Sequence, residues 1–235
     1  MLLAEVLADL EANGTEQTKK TFLRHGAKEP FFGVKVEHLK KLQKKLKGRH
    51  ELAIELYATG NSDAMYLAGL IVDPMKITKT QLKAWAKAAY WYMLSCFTVP
   101  WTASESRFGR ELGLEWIDSK SEQVAACGWS TLGSMVAITD DGELDLAELV
   151  ELLDRIPATI AAAKNRTKYA MNGFVIAVGT YVAPLLPKAK SIAGQLGQIE
   201  VDVGDTDCKV PVALDYLRKV EAMGRVGKKR KEAKC

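Results

Sequence analysis

The sequence predicts an all-α protein, and three observations carry that prediction. Apolar residues recur at intervals of three and four in segment after segment, Ser and Thr stand as caps before several of them, and one stretch of five residues alternates apolar with acidic. About a dozen helices joined by short turns leave two architectures, a bundle or a superhelix of stacked helix pairs. No strict repeat period chooses between them, because a helix pair needs an apolar stripe on both sides and no fixed signature.

Leu3, Val6, Leu7 and Leu10 share one helical face, and Asn13-Gly14 stops that helix. Thr15 caps a second helix through Arg24, and the Gly26 to Gly33 segment, with two glycines and a proline, is a loop. From Val36 to Lys47 the leucines 39, 42 and 46 form an inward stripe, while Lys40, Lys41, Lys44, Lys45 and Lys47 cover the remainder. Helices follow from His50 to Tyr57 and from Asp63 to Val72. Thr78 then caps one that runs from Lys79 through a dense aromatic stretch to a stop at Pro100. Ser104 caps Glu105 to Ile117, Ser121 caps Glu122 to Ile138, and Leu146 to Ile156 carries an i, i+3, i+4, i+7 stripe closed by Pro157. Between Tyr169 and Pro187 no residue is charged. Interrupting Asn172, Gly173, Gly179 and two prolines make this a central buried helix and not a membrane span. A helix from Pro187 to Gln198, the alternating Ile199 to Val203, and a last helix from Pro211 to Met223 complete the series.

A chain of 235 residues with 48% apolar content can bury a full core, so residues 1–224 read as a single helical domain and 225–235 as a basic flexible tail. The formal charge of +4 is too small to argue nucleic-acid binding alone, and the two lysine clusters, Lys40 to Lys47 and Lys228, Lys229 and Arg230, must carry it. Cys96, Cys127, Cys208 and Cys235 lie far apart with no C-x-x-C and no nearby histidine, which suggests neither zinc nor a disulfide framework and fits reduced thiols in a cytoplasm. The N-terminus lacks the basic region and apolar core of a secretion signal. Glu200, Asp202, Asp205 and Asp207 lack calcium-loop spacing and read as a solvated loop capping the final helix. His25, His38 and His50 read as surface or loop residues. No metal or cofactor is expected.

The chain is organised around residues 89–101, where five aromatic residues fall within thirteen positions. Such a run either fills a core or lines a concave surface for a flat ligand.

Phe31-Phe32-Gly33-Val34-Lys35-Val36-Glu37-His38-Leu39 resembles the phenylalanine- and glycine-rich loop and helix that open the DNA alkylation repair enzyme family. Trp91 to Pro100 is similar to that family's tryptophan-rich stretch, and Asn172-Gly173-Phe174-Val175 to its glycine-aromatic helix. The resemblance spans most of the chain and implies a HEAT-like repeat superhelix whose concave basic face holds duplex DNA, with no membrane role. It implies an alkylpurine DNA glycosylase activity and a monomer. Carried over residue by residue, the lesion cleft comprises Trp91, Tyr92, Cys96, Cys127 and Phe174. Cys96 stands where the family's catalytic aspartate is expected, and Cys127 where its DNA-holding arginine is. An alkylated purine is a cation whose bond to the sugar breaks without protonation, so aromatic faces attract it at roughly 0.5–2 kcal/mol per contact. A carboxylate would supply the larger charge stabilisation, and a thiol would not. The alternative expectation is a non-catalytic helical module that binds nucleic acid structures or a protein partner.

Overall fold

A computed structural model of the chain describes residues 1–234, and Cys235, the last residue of the expected tail, lies outside the described residues. The helices are α1 Leu3–Asn13, α2 Glu16–Arg24, α3 Val36–Leu46, α4 His50–Ala58, α5 Ser62–Ile71, α6 Lys79–Ala88 and α7 Val99–Glu105. After them come α8 Gly109–Ile117, α9 Glu122–Ile138, α10 Leu146–Thr159, α11 Asn165–Tyr181, α12 Leu186–Leu196 and α13 Ala213–Ala222.

They stack in two layers, which makes the fold a superhelix and not a bundle. The inner layer runs α3, α5, α7, α9, α11 and α13, each packed on the next. Ion pairs lace the outer layer from helix to helix. Lys79 of α6 meets Glu111 of α8, and Lys83 meets Glu115 at 2.7 Å. Arg110 of α8 meets Glu148 of α10 at 2.5 Å, Arg155 of α10 meets Asp118, and Lys188 of α12 meets Asp154 at 2.5 Å. Exposed pairs are each worth about 0.2–1 kcal/mol, so the ladder sets register between neighbours more than it sets stability.

Pro100 does not end the helix it was expected to end. The helix capped by Thr78 stops at Ala88, and a new one opens with a π-helical turn, Met93–Thr98, that runs straight into α7 with Pro100 in its first turn. Val99 N–H reaches back to Leu94 C=O, a wider ring than the α-helical one, and Thr98 Oγ1 bonds Met93 C=O at 3.1 Å. This wider turn receives a residue that has no N–H to give. Glu105 therefore ends α7 instead of opening α8, and Pro157 likewise sits inside the last turn of α10.

Asp63 organises the N-terminal half. It lies in the first turn of α5, 3% exposed, and its carboxylate accepts the N–H groups of Phe32 at 2.7 Å, Gly33 at 2.9 Å and Val34 at 3.2 Å. Burial raises its pKa, and the three donors and Lys19 pull it back. Gly33 adopts φ 81° there, with Lys19 and Thr15 closing the space a side chain would need. The Phe-Phe-Gly motif is thus a loop wrapped around a buried anion.

Residues 225–234 correct the expectation of a flexible tail, because they form a strap across the C-terminal ends of the inner helices. Gly227 N–H bonds Thr180 C=O in the last turn of α11, and Arg230 N–H bonds Ala137 C=O in the last turn of α9. Lys229 Nζ donates to Val136 C=O at 2.9 Å and pairs with Asp141 at 2.8 Å. Ala233, 1% exposed, donates its N–H to Glu105 at the end of α7, and Lys234 Nζ reaches Leu70 C=O near the end of α5 at 3.4 Å. The strap holds because helix ends leave carbonyls without partners and favour positive charge.

Ile199 to Val203 is extended loop, and among the described residues there is no strand, only one isolated bridge between Gly14 and Val34. The loop does not cap α13, whose start has no side-chain cap. Instead Asn165, at the start of α11, exchanges two hydrogen bonds with the Asp202 backbone at 2.7 and 2.8 Å, and Gly204, with φ 84°, lies against the Arg24 carbonyl. His50 is buried in the first turn of α4, which corrects its reading as a surface or loop residue, and His38 pairs with Asp9 at 2.5 Å. Among the described residues no single helix is long and apolar enough to cross a membrane, and α11 and α12 meet at a bend of 116°.

Candidate nucleic-acid interface

The inner face carries a trough of about 240 Å³ between α9 and α11. Phe97 and Trp101, one helical turn apart on the π-turn and α7, form one wall, and Tyr169 and Tyr181 of α11 stand in the other. The volume is below the roughly 300–1,000 Å³ of drug-sized sites, which suits a single ring system. Two guanidiniums bracket it. Arg230 of the strap lines one end. Beyond the other, Arg166 stacks on the Tyr92 ring at 4.6 Å from its centroid.

Of the sequence-predicted cleft residues, the trough brings together Cys96 and Phe174. Tyr92 sits just above it, half-buried, edge-on to Phe97 with centroids 6.1 Å apart. Burial raises its phenol pKa against the pull of Arg166. Trp91 is not in the trough: it is 6% exposed, and its indole N–H donates to Ser62 Oγ at 2.6 Å, pinning the start of α5. Tyr90 helps from the same stretch, its hydroxyl 3.2 Å from both the Pro30 and Gly60 carbonyls, and burial pushes its pKa up to about 12. Cys127 is fully enclosed in the core, where no DNA phosphate can reach it. A guanidinium does stand near Tyr92, that of Arg166 on a different helix.

Cys96 faces the trough at 6% exposure. Burial raises the thiol pKa above its ordinary value, although the hydroxyls of Ser95 and Ser130 and the charge of Arg166 oppose the rise, so the group is neutral at physiological pH. Glu122 is near enough for its charge to act on the thiol, but its carboxylate already accepts the Arg166 N–H at 2.6 Å as a cap on α11. The trough can therefore grip a flat π-system and a phosphate. Among the described residues, its lining holds no carboxylate to stabilise a cationic sugar.

Gly173 lies in the floor of the trough, mid-way along α11, exposed and without positive φ. A Cβ there would meet nothing within 4 Å, so neither backbone strain nor helix packing requires the glycine. Mid-helix glycine costs about 1 kcal/mol relative to alanine. Gly194 is equally open, but it stands in the last turn of α12, where the helix frays and the cost falls. Gly173 leaves the α11 backbone open to the trough. Gly173→Ala is expected to raise thermal stability by up to about 1 kcal/mol while weakening DNA binding. Thermal melts and fluorescence anisotropy on one preparation test both signs.

The lysines of α3 are exposed, and Lys41 pairs with Glu37 at 2.8 Å. Lys228 is exposed as expected, whereas Lys229 is turned inward as a helix-end cation and is corrected from DNA contact to structural residue. Phe97, Trp101, Tyr169, Tyr181 and Arg166 were missed as site residues. Their signal was the four-residue spacing of Phe97 with Trp101 and of Tyr169 with Gly173, which places each pair on one helical face.

Residues 6–188 match the family model described as DNA alkylation repair enzyme. Uncharacterized protein Lin0241 of Listeria innocua and Uncharacterized protein Lmo0209 of Listeria monocytogenes are each 34% identical over 217 residues, covering 90% of this chain and 93% of theirs. A solved structure described as a new family of proteins related to the HEAT-like repeat DNA glycosylases with affinity for branched DNA structures is 38% identical. It superposes with a TM-score of 0.90 over 100% of both chains.

Proposed function

The chain belongs to the DNA alkylation repair enzyme family, and from that premise we propose that it binds branched DNA through its concave face without hydrolysing N-glycosidic bonds. The observation that carries the reading is the trough itself: aromatic walls and the Arg166 guanidinium near a buried, neutral Cys96 thiol. Those groups hold bases and phosphates. They do not hold a developing positive charge, which needs a preorganised anion.

The affinity of the similar solved protein for branched DNA supports the choice of ligand. A trough for one ring system also suits DNA whose stacking is already broken at a junction, because unstacking a base from continuous duplex costs a few kcal/mol that a branch point has already met. Arg166 would then contact a phosphate beside the unstacked position.

The test is equilibrium binding of a four-way junction and of a linear duplex of equal length, read beside release of 7-methylguanine from methylated DNA. The expected result is tighter binding to the junction, with base release at the spontaneous rate. Equal affinity for both DNAs would remove the branched-DNA reading, and accelerated base release would restore the glycosylase one.

A further inference from the structure

Two lysine clusters from opposite ends of the sequence meet at one carbonyl. Gln43 of α3 donates its side-chain amide to Leu70 C=O at 3.3 Å, and Lys234 of the strap donates to the same oxygen at 3.4 Å. The C-terminal end of α3, with Lys44, Lys45 and Lys47, therefore adjoins the Lys234 end of the strap, and Lys231 and Lys228 follow along the strap towards the ends of α9 and α11. Together they trace one edge of the inner layer, along the C-terminal ends of α3, α5, α7, α9 and α11.

The cations on this edge differ from those that lace the outer layer. On the outer layer Lys79, Lys83, Arg110, Arg155, Lys188 and Lys190 each have a carboxylate on a neighbouring helix. On the strap, Lys229 and Lys234 are spent on helix-end carbonyls and on Asp141 and Glu105. Among the described residues, Lys44, Lys45, Lys47, Lys228 and Lys231 are exposed and in no ion pair. The exposed acids near it include Glu232 on the strap, Asp140 and Glu143 after α9, and Glu51 in the first turn of α4. The opposite edge, at the N-terminal ends of the inner helices, carries the acidic loop with Asp202, Asp205 and Asp207. Unpaired positive charge along the C-terminal edge draws a polyanion.

Resting on the branched-DNA reading above, we propose that this edge is a second nucleic-acid site, a phosphate track for the arm that leaves the concave face at the branch point. A linear duplex continues along the concave face and reaches the trough without crossing the edge. A branched DNA sends another arm across it, and the strap, held by backbone N–H groups to three helices, presents its lysines without a backbone ordering cost at binding.

The experiment compares wild type with Lys228→Glu/Lys231→Glu and with Lys44→Glu/Lys47→Glu. Fluorescence anisotropy measures binding to a four-way junction and to a linear duplex at low and at roughly physiological salt, and thermal melts confirm the fold, which these solvent-facing side chains do not support. In each double variant junction affinity is expected to fall towards duplex affinity, with duplex binding unchanged within about twofold. The slope of log K against log salt for the junction should become less negative by about 0.9 for each phosphate that the variant no longer neutralises. Junction binding that survives both variants with its slope intact would overturn the track while leaving the branched-DNA reading in place, as would an equal weakening on junction and duplex. Capture of phosphatidylserine vesicles through the same lysines, with junction binding unaffected, would overturn it in favour of a membrane surface. Wild type that binds neither DNA would sink the branched-DNA reading itself.

Discussion

Asp63→Ala is expected to destabilise the protein by about 3–6 kcal/mol, because it orphans three buried backbone donors at once. Phe32, Gly33 and Val34 direct their N–H groups at this one carboxylate, and each buried donor left without a partner costs about 1–3 kcal/mol. The sum sits at the low end of the simple product, since the loop can relax towards water. The loss should be local in origin but global in effect, because the loop also anchors Tyr90 through the Pro30 carbonyl. Asp63→Asn is the control. Its single acceptor oxygen can keep the two bonds that Oδ2 makes to Phe32 and Gly33, while its amide would confront the Val34 N–H, so about half of the loss should return. Chemical denaturation of the three proteins measures the series, and an alanine variant within about 1 kcal/mol of wild type would show that the nest is not what holds the loop.

The second large effect concerns Cys96. Cys96→Asp is expected to raise release of 7-methylguanine by about 10²–10³ over wild type, the usual worth of one preorganised electrostatic group. The aspartate would enter a site that already has Ser95, Ser130 and Arg166 to receive its charge, and Arg166 also makes a companion arginine unnecessary. Cys127→Arg, the partner substitution that the family resemblance suggests, should instead unfold the chain or cost about 3–5 kcal/mol, because it buries an unpaired guanidinium in the core. Base release timed against the spontaneous rate, with melting curves for both variants, decides between them. A folded Cys96→Asp protein with no gain would mean that the trough does not place the sugar beside residue 96. The gain should appear only where the new carboxylate is ionised, and burial will push its pKa up as it does the thiol's, so activity should rise with pH through that raised value.

The helices were legible because their signals are local. The leucine stripe of α3 and the caps at Thr15 and Thr78 each act within a few residues, and each is found where the spacing placed it. Pro100 and Pro157 misled for a related reason: proline forbids one hydrogen bond, and a π-turn or a last turn can do without it. The residues of the aromatic stretch at 89–101 divide by helical phase. Tyr90 and Trp91 point back to hold α5, while Phe97 and Trp101 point into the trough, and no composition argument separates them.

What the sequence by itself determined is the all-α class, the paired helices and the kinship that makes them a superhelix, since periodicity, caps and motifs are carried by neighbours along the chain. What only the tertiary structure decided is which charges are free to work. Lys229 and Lys228 are adjacent and chemically identical, but one is consumed by Val136 C=O and Asp141 while the other faces solvent. Cys127 is sealed in the core, and Arg166 arrives from another helix to lie on Tyr92. Whether a side chain meets a ligand or the fold's own unpaired carbonyls depends on where helix ends fall in space, and that is set by packing between residues far apart in the chain.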